Sequence, residues 1–374
     1  MRRNLDKIVC LVLCLCCVSG GAQGQKKGLP ARQAVASPWD VEAREYLGTP
    51  QSEQAVERAL AFLGARQHSG GYWSSGQYPA EVGITGLCLM AYLAAGHQPG
   101  RGRYGLVMNE AVDFLASCVH ADGQYGPPGL VRSPQGGGMP MYGHGFATLA
   151  LAEVYGMTKR RDLKPKLQAA VKLIEDTQSD GSPYTEGGWR YHPQKGDADI
   201  SVTIVQVMAL RAARNAGLKV SQTTIDRAIQ YMIRCANNAD GGFSYQIGQR
   251  QSGPARTGAG VLSLIMAGKR DEPACQHGLE YLRTHPLNRS NEWSYREHFF
   301  YTLYYVTQAM YQTGGDYWKR WYPSIRDFLV RSQDSDGSWS RRLDGFSEAG
   351  PEYATAMSIL VLQVPAGLLP IYQK

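Results

Sequence analysis

A turn pattern recurs along this 374-residue chain: a glutamine, a glycine four residues later, and a tryptophan two residues after that. The pattern is complete at Gln67–Trp73 and at Gln333–Trp339. One supersecondary unit is therefore written six times, which predicts a solenoid or a closed ring. The four weaker copies are Ala121–Tyr125, Ser179–Gly181 with Trp189 further on, Asp240–Phe243 and Asn291–Trp293.

An amphipathic helix is predicted before each turn. Apolar residues recur there at every third or fourth position with polar residues between them, so that only one face is buried. The six segments begin 46 to 59 residues apart and are Ala59–Leu63, Ala111–Leu115, Ala170–Ile174, Ala228–Met232, Gly278–Leu282 and Ser324–Leu329.

A second helix is predicted after each turn, and this one is apolar on nearly every side. A helix without a polar face has to be buried all round. Most of these segments end at a glycine, which is typical of a helix C-terminus. They are Gly83–Gly96, Gly143–Gly156, Ser201–Gly217, Thr257–Gly268, Tyr301–Gly314 and Tyr353–Val364.

Six half-exposed helices that alternate with six buried ones favour an all-α ring, with the buried set inside. An open stack would need polar caps at both ends. The last repeat instead ends in the apolar segment Leu362–Pro370. We therefore predict a single closed (α/α)6 toroid over residues 51–374. Its centre is expected to be hollow, with the aromatic residue of each turn wedged between neighbouring repeats.

The complete turns resemble the QW motifs of squalene–hopene and oxidosqualene cyclases, whose domains are α/α toroids, as are protein prenyltransferase β-subunits. The resemblance extends over about residues 52–370. The segments Met141–Leu149, Trp189–Tyr191 and Tyr353–Met357 also resemble exported bacterial proteins with prenyltransferase or squalene oxidase repeats. The resemblance implies the toroid fold and leaves the activity open.

The first 24 residues are typical of a secretory signal peptide. Basic residues precede the apolar segment Ile8–Val18, which is too short to span a bilayer, and Ala22–Gly24 supplies a cleavage site. An uncleaved anchor is the alternative. Cleavage predicts a secreted or periplasmic protein, with residues 25–50 as a flexible lead-in and no transmembrane helix afterwards.

Composition argues against several function classes. The formal net charge is +7 and no dense basic run occurs, so nucleic-acid binding is not expected. The eight histidines are scattered and the Asp-x-Cys pair of protein prenyltransferases is missing after the leader, so neither a metal nor a cofactor is predicted. Buried free thiols are expected at Cys88, Cys118, Cys235 and Cys275, whose spacing suggests no disulfide framework.

Chemistry is expected at the end of the ring where the inner helices begin, because their free N–H groups and dipoles converge there. The segment Gly126–Pro140 is rich in glycine and proline and is predicted to form a lid over that end. The residues predicted to line a ligand-binding cavity are Tyr142, Trp189, Tyr191, Ser201, Arg256, Tyr301, Glu352 and Tyr353.

Asp197 and Asp199 are the first candidates for catalysis. Asp197–Ser201 resembles the DxDD motif of class II terpene cyclases, in which the middle aspartate protonates an alkene or an epoxide. This resemblance implies that Asp199 is the acid and Asp197 its partner. Ile200 stands where the third carboxylate belongs, which puts the acidity in doubt. The alternative is that Asp199 or Ser201 caps the following helix.

His144 is the third catalytic candidate, as a base, as a ligand contact or as a partner of Asp199. The alternative is a structural histidine bonded to a loop carbonyl. Arg256 is predicted either to hold an anionic ligand or to pair with a carboxylate such as Glu352. Aromatic residues near this end would stabilise carbocations in a cyclase, or pack the ring together.

Three functions follow from these candidates. The first is an exported toroid that binds an apolar small molecule or a polymeric ligand in its cavity without catalysis. The second is a terpenoid cyclase that uses Asp199, although triterpene cyclases pair two such domains and one is predicted here. The third is a polysaccharide lyase-like enzyme that uses Arg256 and His144. We expect the first, because the acid motif is incomplete and no metal site is predicted.

Overall fold

The computed structural model describes residues 48–74, 81–121, 126–135, 137–286, 298–339 and 349–373. Twelve α-helices lie within these ranges, together with two short 3-10 segments at the C-terminal end and no β-strand. The predicted signal peptide, nearly all of the lead-in and the Asn291–Trp293 turn lie outside the described residues. The helices are α1 Pro50–Arg66, α2 Val82–Ala94, α3 Gly105–Ser117, α4 Pro140–Thr158, α5 Leu163–Asp176, α6 Ile200–Asn215, α7 Gln222–Arg234, α8 Pro254–Met266, α9 Pro273–Thr284, α10 Phe299–Thr313, α11 Gly315–Ser332 and α12 Gly350–Gln363.

The even-numbered helices form the inner ring. Each packs against the next in order from α2 to α12, and α12 returns to pack against α2. Nearly all of their residues are buried, whereas the odd-numbered helices bury one face and surround the ring. The all-α, single closed (α/α)6 toroid predicted from the sequence is therefore confirmed. None of the described helices is both long and apolar enough to cross a bilayer.

Side chains of the first and last repeats close the ring. Two guanidinium nitrogens of Arg66 lie 2.9 and 2.8 Å from Oε1 of Glu352, which joins the end of α1 to the start of α12. Gln333 donates from Nε2 to the carbonyl of Ala55 on α1 at 2.8 Å. The last turn is therefore bonded to the first helix, as closure requires.

The glutamine and the tryptophan of a turn have different partners. Gln67 donates from Nε2 to the Gly71 carbonyl of its own turn at 3.2 Å and to the Val107 carbonyl of α3 at 2.8 Å. Trp73 is fully buried and donates from Nε1 to the Leu63 carbonyl of α1 at 2.8 Å. The hydrogen bond between neighbouring repeats is therefore made by the glutamine, while the tryptophan bonds within its own repeat.

The third turn makes the same bonds at a different spacing. Gln178 donates from Nε2 to the carbonyls of Gly187 and Thr224 at 2.9 and 2.8 Å, and Trp189 donates from Nε1 to a carbonyl of α5 at 2.8 Å. The complete third turn is thus Gln178–Trp189, with additional residues between its glutamine and its glycine. The sequence alone had indicated Ser179–Gly181 as the glycine turn of this repeat.

The turn glycine is required by the backbone. Its φ is +80° at Gly71, +91° at Gly187 and +91° at Gly337. A Cβ atom at these positions would lie 2.3, 2.2 and 2.7 Å from a carbonyl oxygen of the next outer helix. Positive φ and this close approach together permit only glycine.

Part of the segment predicted to be a lid is the turn of the second repeat. Gly129 has a φ of +90°, and a Cβ atom there would lie 2.3 Å from the Ala169 carbonyl oxygen of α5. Leu130 and Val131 are buried. This portion of Gly126–Pro140 is therefore a fixed part of the ring and not a lid.

A threonine in the first turn of an inner helix connects the helix to the turn that precedes it. The Thr85 hydroxyl donates to the Glu81 carbonyl at 2.9 Å and accepts the Trp73 N–H at 3.1 Å. His144 occupies the same position in α4, where Nδ1 accepts the Val131 N–H at 3.0 Å. The equivalent bonds elsewhere are Trp189 N–H to Thr203, Phe243 N–H to Thr257 and Trp339 N–H to Thr355.

The middle of the ring is filled by side chains. Tyr304 and Tyr305 of α10 are both fully buried, so no space of the size of a water molecule adjoins their rings. At the end where the inner helices finish, the 3-10 segment Pro370–Tyr372 packs against α6. The expected hollow centre is therefore absent at the level of Tyr304 and Tyr305.

Candidate functional site

Three tyrosines remain partly exposed where the inner helices begin, although most of their neighbours there are buried: Tyr142, Tyr301 and Tyr353. Tyr305 lies one helical turn below Tyr301, and their ring centroids are 4.5 Å apart. The Tyr301 hydroxyl donates to the Ser201 carbonyl across the ring at 3.2 Å. We call Tyr142, Tyr301, Tyr353 and Tyr305 the tyrosine mouth.

The phenols of Tyr142, Tyr301 and Tyr305 stay protonated. Burial raises the pKa of Tyr142, Tyr301 and Tyr305 well above the ordinary value, and neighbouring phenols raise it further. Among those neighbours, Tyr142 and Tyr353 act on Tyr305, which places all four groups close together. Tyr142 and Tyr301, which are partly exposed, therefore present neutral hydroxyl groups that can donate and accept hydrogen bonds.

Asp199 lies beside the mouth and caps α6. Its Oδ1 accepts the N–H groups of Ser201 and Val202 at 2.8 and 2.9 Å, and its Oδ2 accepts the Tyr245 hydroxyl at 3.0 Å. The side chain is fully buried. Burial raises the pKa of this carboxyl to about 6, against the lowering effect of the Val202 N–H and the Tyr245 hydroxyl. This geometry is that of a helix cap, and catalysis by Asp199 stays a prediction.

Arg190 joins the two aspartates to two further tyrosines at the rim. Its guanidinium lies 2.9 Å from Asp197 Oδ2 and 3.4 Å from Asp199 Oδ2. It also lies over the rings of Tyr191 and Tyr245, 4.8 and 5.7 Å from their centroids. The two phenols bond to each other. We call Arg190, Tyr191 and Tyr245 the rim.

The rim adjoins the tyrosine mouth. The rings of Tyr142 and Tyr191 are 6.2 Å apart, and the Met141 N–H donates to the Tyr191 carbonyl at 3.1 Å. The sequence predicted Tyr191 and Tyr245 among the aromatic residues near this end of the ring but assigned no role to Arg190. A signal existed for Arg190, because it stands between Trp189 and Tyr191 and only six residues separate it from Asp197.

His144 is enclosed by the ring. It is fully buried, and because its Nδ1 accepts the Val131 N–H, the proton of the neutral ring is on Nε2. Burial lowers the pKa of His144 to about 4, although the Ala170 backbone raises it. The imidazole is therefore neutral over most of the pH range and occupies the place of the threonines in other repeats.

Three of the other predicted cavity residues have partners elsewhere. Trp189 is buried and bonded to α5 as the turn tryptophan. Glu352 pairs with Arg66, so the suggested pair between Glu352 and Arg256 is not the one observed. Arg256 is half-buried and lies near Tyr281 of the outer helix α9; it lowers the pKa of Tyr281 against the larger effect of burial.

Within the described ranges, no three His, Cys, Asp or Glu side chains come together as a metal site. Cys88, Cys118, Cys235 and Cys275 are buried free thiols, as the sequence predicted. Burial raises the pKa of each: to about 12 for Cys118 and Cys235, to about 11 for Cys275, and well above the ordinary value for Cys88. They are therefore unreactive, and the candidate site consists of tyrosine, arginine and aspartate side chains.

The chain is similar to known toroids in sequence and in fold. Residues 146–318 match the family model of the squalene-hopene cyclase C-terminal domain. No curated protein matches the sequence. The type II terpene cyclase MstE from Scytonema superposes with a TM-score of 0.56 at 15% identity, over 85% of this chain and 99% of that one.

Two carbohydrate-active enzymes have the same fold. The GH76A α-1,6-mannanase from Salegentibacter sp. HEL1_6 superposes with a TM-score of 0.61 at 8% identity, over 85% of this chain and 99% of that one. Cellobiose 2-epimerase from Bacillus thermoamylovorans B4167 superposes with a TM-score of 0.57 at 14% identity, over 83% of this chain and 98% of that one. This protein thus has the α/α-toroid fold, which it shares with a type II terpene cyclase and with these two carbohydrate-active enzymes. Identities this low establish the fold alone.

Proposed function

We propose that this toroid is exported and binds an oligosaccharide at the tyrosine mouth, without catalysis. The observation that carries this proposal is the group of half-exposed tyrosines Tyr142, Tyr301 and Tyr353 at one end of an otherwise buried inner ring. Tyrosine rings stack on the apolar face of a sugar, and their hydroxyls bond to sugar hydroxyls. The signal peptide would deliver the protein to a compartment where polysaccharides occur.

The bonds of Asp199 favour binding over acid catalysis. A catalytic acid for an alkene must hold a proton and present it to the substrate. Both oxygens of Asp199 are occupied, and the two backbone N–H groups on Oδ1 stabilise the ionised form. With a pKa of about 6, this carboxyl is mostly ionised at neutral pH.

The filled middle of the ring also favours a hydrophilic ligand. Cyclisation of an isoprenoid needs an enclosed apolar cavity of several hundred Å3. Here Tyr304 and Tyr305 occupy the middle, and the accessible groups at the mouth are phenols, a guanidinium and a carboxylate. Solved toroids include one with geranylgeranyl dihydroxybenzoate and one with α-1,6-mannotriose. The fold therefore accommodates both isoprenoid and sugar ligands, and the choice between them depends on the residues of the site.

The terpenoid cyclase is retained as the second candidate, because the raised pKa of Asp199 is the direction that an acid needs. The lyase-like reading has less support, since His144 is fully buried and Arg256 lies near α9. The variant Asp199→Asn distinguishes oligosaccharide binding from terpenoid cyclisation. The amide oxygen can still cap α6, so sugar binding should persist, whereas turnover of a squalene-like substrate would be abolished.

Affinity electrophoresis in gels that contain mannan, xylan, pectin or β-glucan tests the proposal. We expect at least one glycan to retard the protein, and the double variant Tyr142→Ala/Tyr353→Ala to migrate freely. Tyr155→Ala is the matched control, because Tyr155 is a half-exposed tyrosine near the other end of α4. Free migration in every gel, or equal retardation of the double variant, would refute the proposal.

A further inference from the structure

A second recess lies at the opposite end of the ring. The ends of α6 and α8 and the outer helix α7 enclose a cleft of about 430 Å3. Helix α6 has 16 residues, so this cleft is about 20 Å from the tyrosine mouth. The two sites are therefore separate.

Positive charge predominates in the cleft. Arg211, Arg214 and Lys269 line it, and Asp226 is the carboxylate that faces them. Gln222 lies between the opposite charges: it accepts from Arg214 at 2.8 Å and donates to Asp226 at 2.7 Å. Among the described residues, none of the three cations forms an ion pair.

One of these cations has a structural bond that recurs around the ring. Lys159 donates to the Ala216 carbonyl at the end of α6, and Arg211 donates to the Met266 carbonyl at the end of α8. Such contacts at helix C-termini are favourable because the carbonyls there lack partners. This bond accounts for one nitrogen of Arg211 and for none of Arg214 or Lys269.

Part of the Arg211 guanidinium is buried at a cost. Its Nε is enclosed and has no hydrogen-bond acceptor among the described residues. Burial lowers the pKa of Arg211, and Arg214 lowers it further. An anion placed between the two guanidiniums would offset their mutual repulsion, because guanidinium groups bind carboxylates and phosphates through paired N–H bonds.

We propose that the cleft binds a small organic anion, whose carboxylate or phosphate contacts Arg211, Arg214 and Lys269. Its volume is within the range of small-molecule sites. The apolar side chains of Ile225 and Ile229 line the same cleft, so the anionic group is joined to an apolar body. This binding is independent of the tyrosine mouth.

Calorimetric titration with four probes tests the site: hexyl phosphate, hexanoate, hexanol and inorganic phosphate. We expect hexyl phosphate or hexanoate to bind at least tenfold more tightly than hexanol, and binding to weaken as salt is raised. The stronger of the two anions identifies the preferred group. Inorganic phosphate should bind more weakly, since it lacks the apolar body.

Variants locate the binding. Arg214→Gln/Lys269→Gln should weaken binding of the anion at least tenfold without lowering the melting temperature, since neither side chain bonds to a backbone carbonyl at a helix end. Lys172→Gln on the solvent-exposed face of α5 is the control and should change nothing. Tyr142→Ala/Tyr353→Ala should also leave this binding intact, which separates the two proposals. The inference is overturned if no anion binds at millimolar concentration, if hexanol binds equally, or if the double variant binds normally.

Discussion

Arg66 at the end of the first outer helix is bonded to Glu352 at the start of the last inner helix, 286 residues away in the sequence. The carboxylate is buried, whereas more than half of the Arg66 side chain is exposed. Arg66 therefore supplies the partner of a buried carboxylate at the point where the last repeat meets the first, which we call the seam of the ring.

Loss of that partner should destabilise the fold. Arg66→Ala leaves the Glu352 carboxylate buried without its cation, which we expect to lower the free energy of unfolding by about 1–3 kcal/mol. Arg103→Ala is the matched control, because Arg103 and Glu57 are both exposed and 3.9 Å apart, and its effect should be within about 0.5 kcal/mol. Urea titration measures both, and equal effects would show that the seam bond is unimportant.

The glycine of the last turn should be irreplaceable. In Gly337→Ala, a residue with a φ of +91° would also carry a Cβ atom 2.7 Å from the Arg58 carbonyl oxygen. We therefore expect the free energy of unfolding to fall by about 3 kcal/mol or more. Gly181→Ala has a φ of +77° but nothing within 4 Å, and should cost only about 1 kcal/mol. Thermal unfolding of the two variants isolates the contact between repeats. Similar melting temperatures would contradict the proposed steric role.

His144 should make the protein sensitive to acid. Its pKa is about 4 when folded and 6.5 ordinarily, so between these values the unfolded chain binds a proton that the folded chain does not. Stability consequently falls as the pH is lowered from 6.5 to 4. His144→Asn keeps an acceptor for the Val131 N–H but does not titrate. Between pH 6.5 and 4 its free energy of unfolding should therefore fall by about 2–3 kcal/mol less than that of the unmodified chain.

Asp199 works in the opposite direction in the same pH window, because its folded pKa is raised and protonation stabilises the folded state. The comparison must therefore be between His144→Asn and the unmodified chain, each by urea titration at several pH values. Parallel pH profiles would mean that His144 is not a neutral structural residue.

Much of the architecture could be predicted from the sequence because repetition is a strong constraint. Helices without a polar face must be inside, and helices with one polar face must surround them, which determined the two rings. The third turn was misplaced because its glutamine and glycine are farther apart than in the complete turns. Only the paired bonds of Gln178 reveal that it is equivalent to Gln67.

The site was harder to predict, because the same residue types serve the fold and the ligand. His144 stands where Thr85 and Thr203 stand in other repeats, and aligning the inner helices on that threonine would have revealed its structural role. The filling of the middle by Tyr304 and Tyr305 depends on how α10 is rotated in the ring, and helical periodicity does not specify this when every face is apolar.

The tolerance of the third turn for extra residues has an evolutionary consequence. Gln178 bonds to the Gly187 carbonyl just as Gln67 bonds to the Gly71 carbonyl, although more residues lie between the glutamine and the glycine in the third turn. The described turns adjoin the starts of the inner helices. New recognition surfaces can therefore be acquired there by insertion, one repeat at a time, while the scaffold below is inherited unchanged.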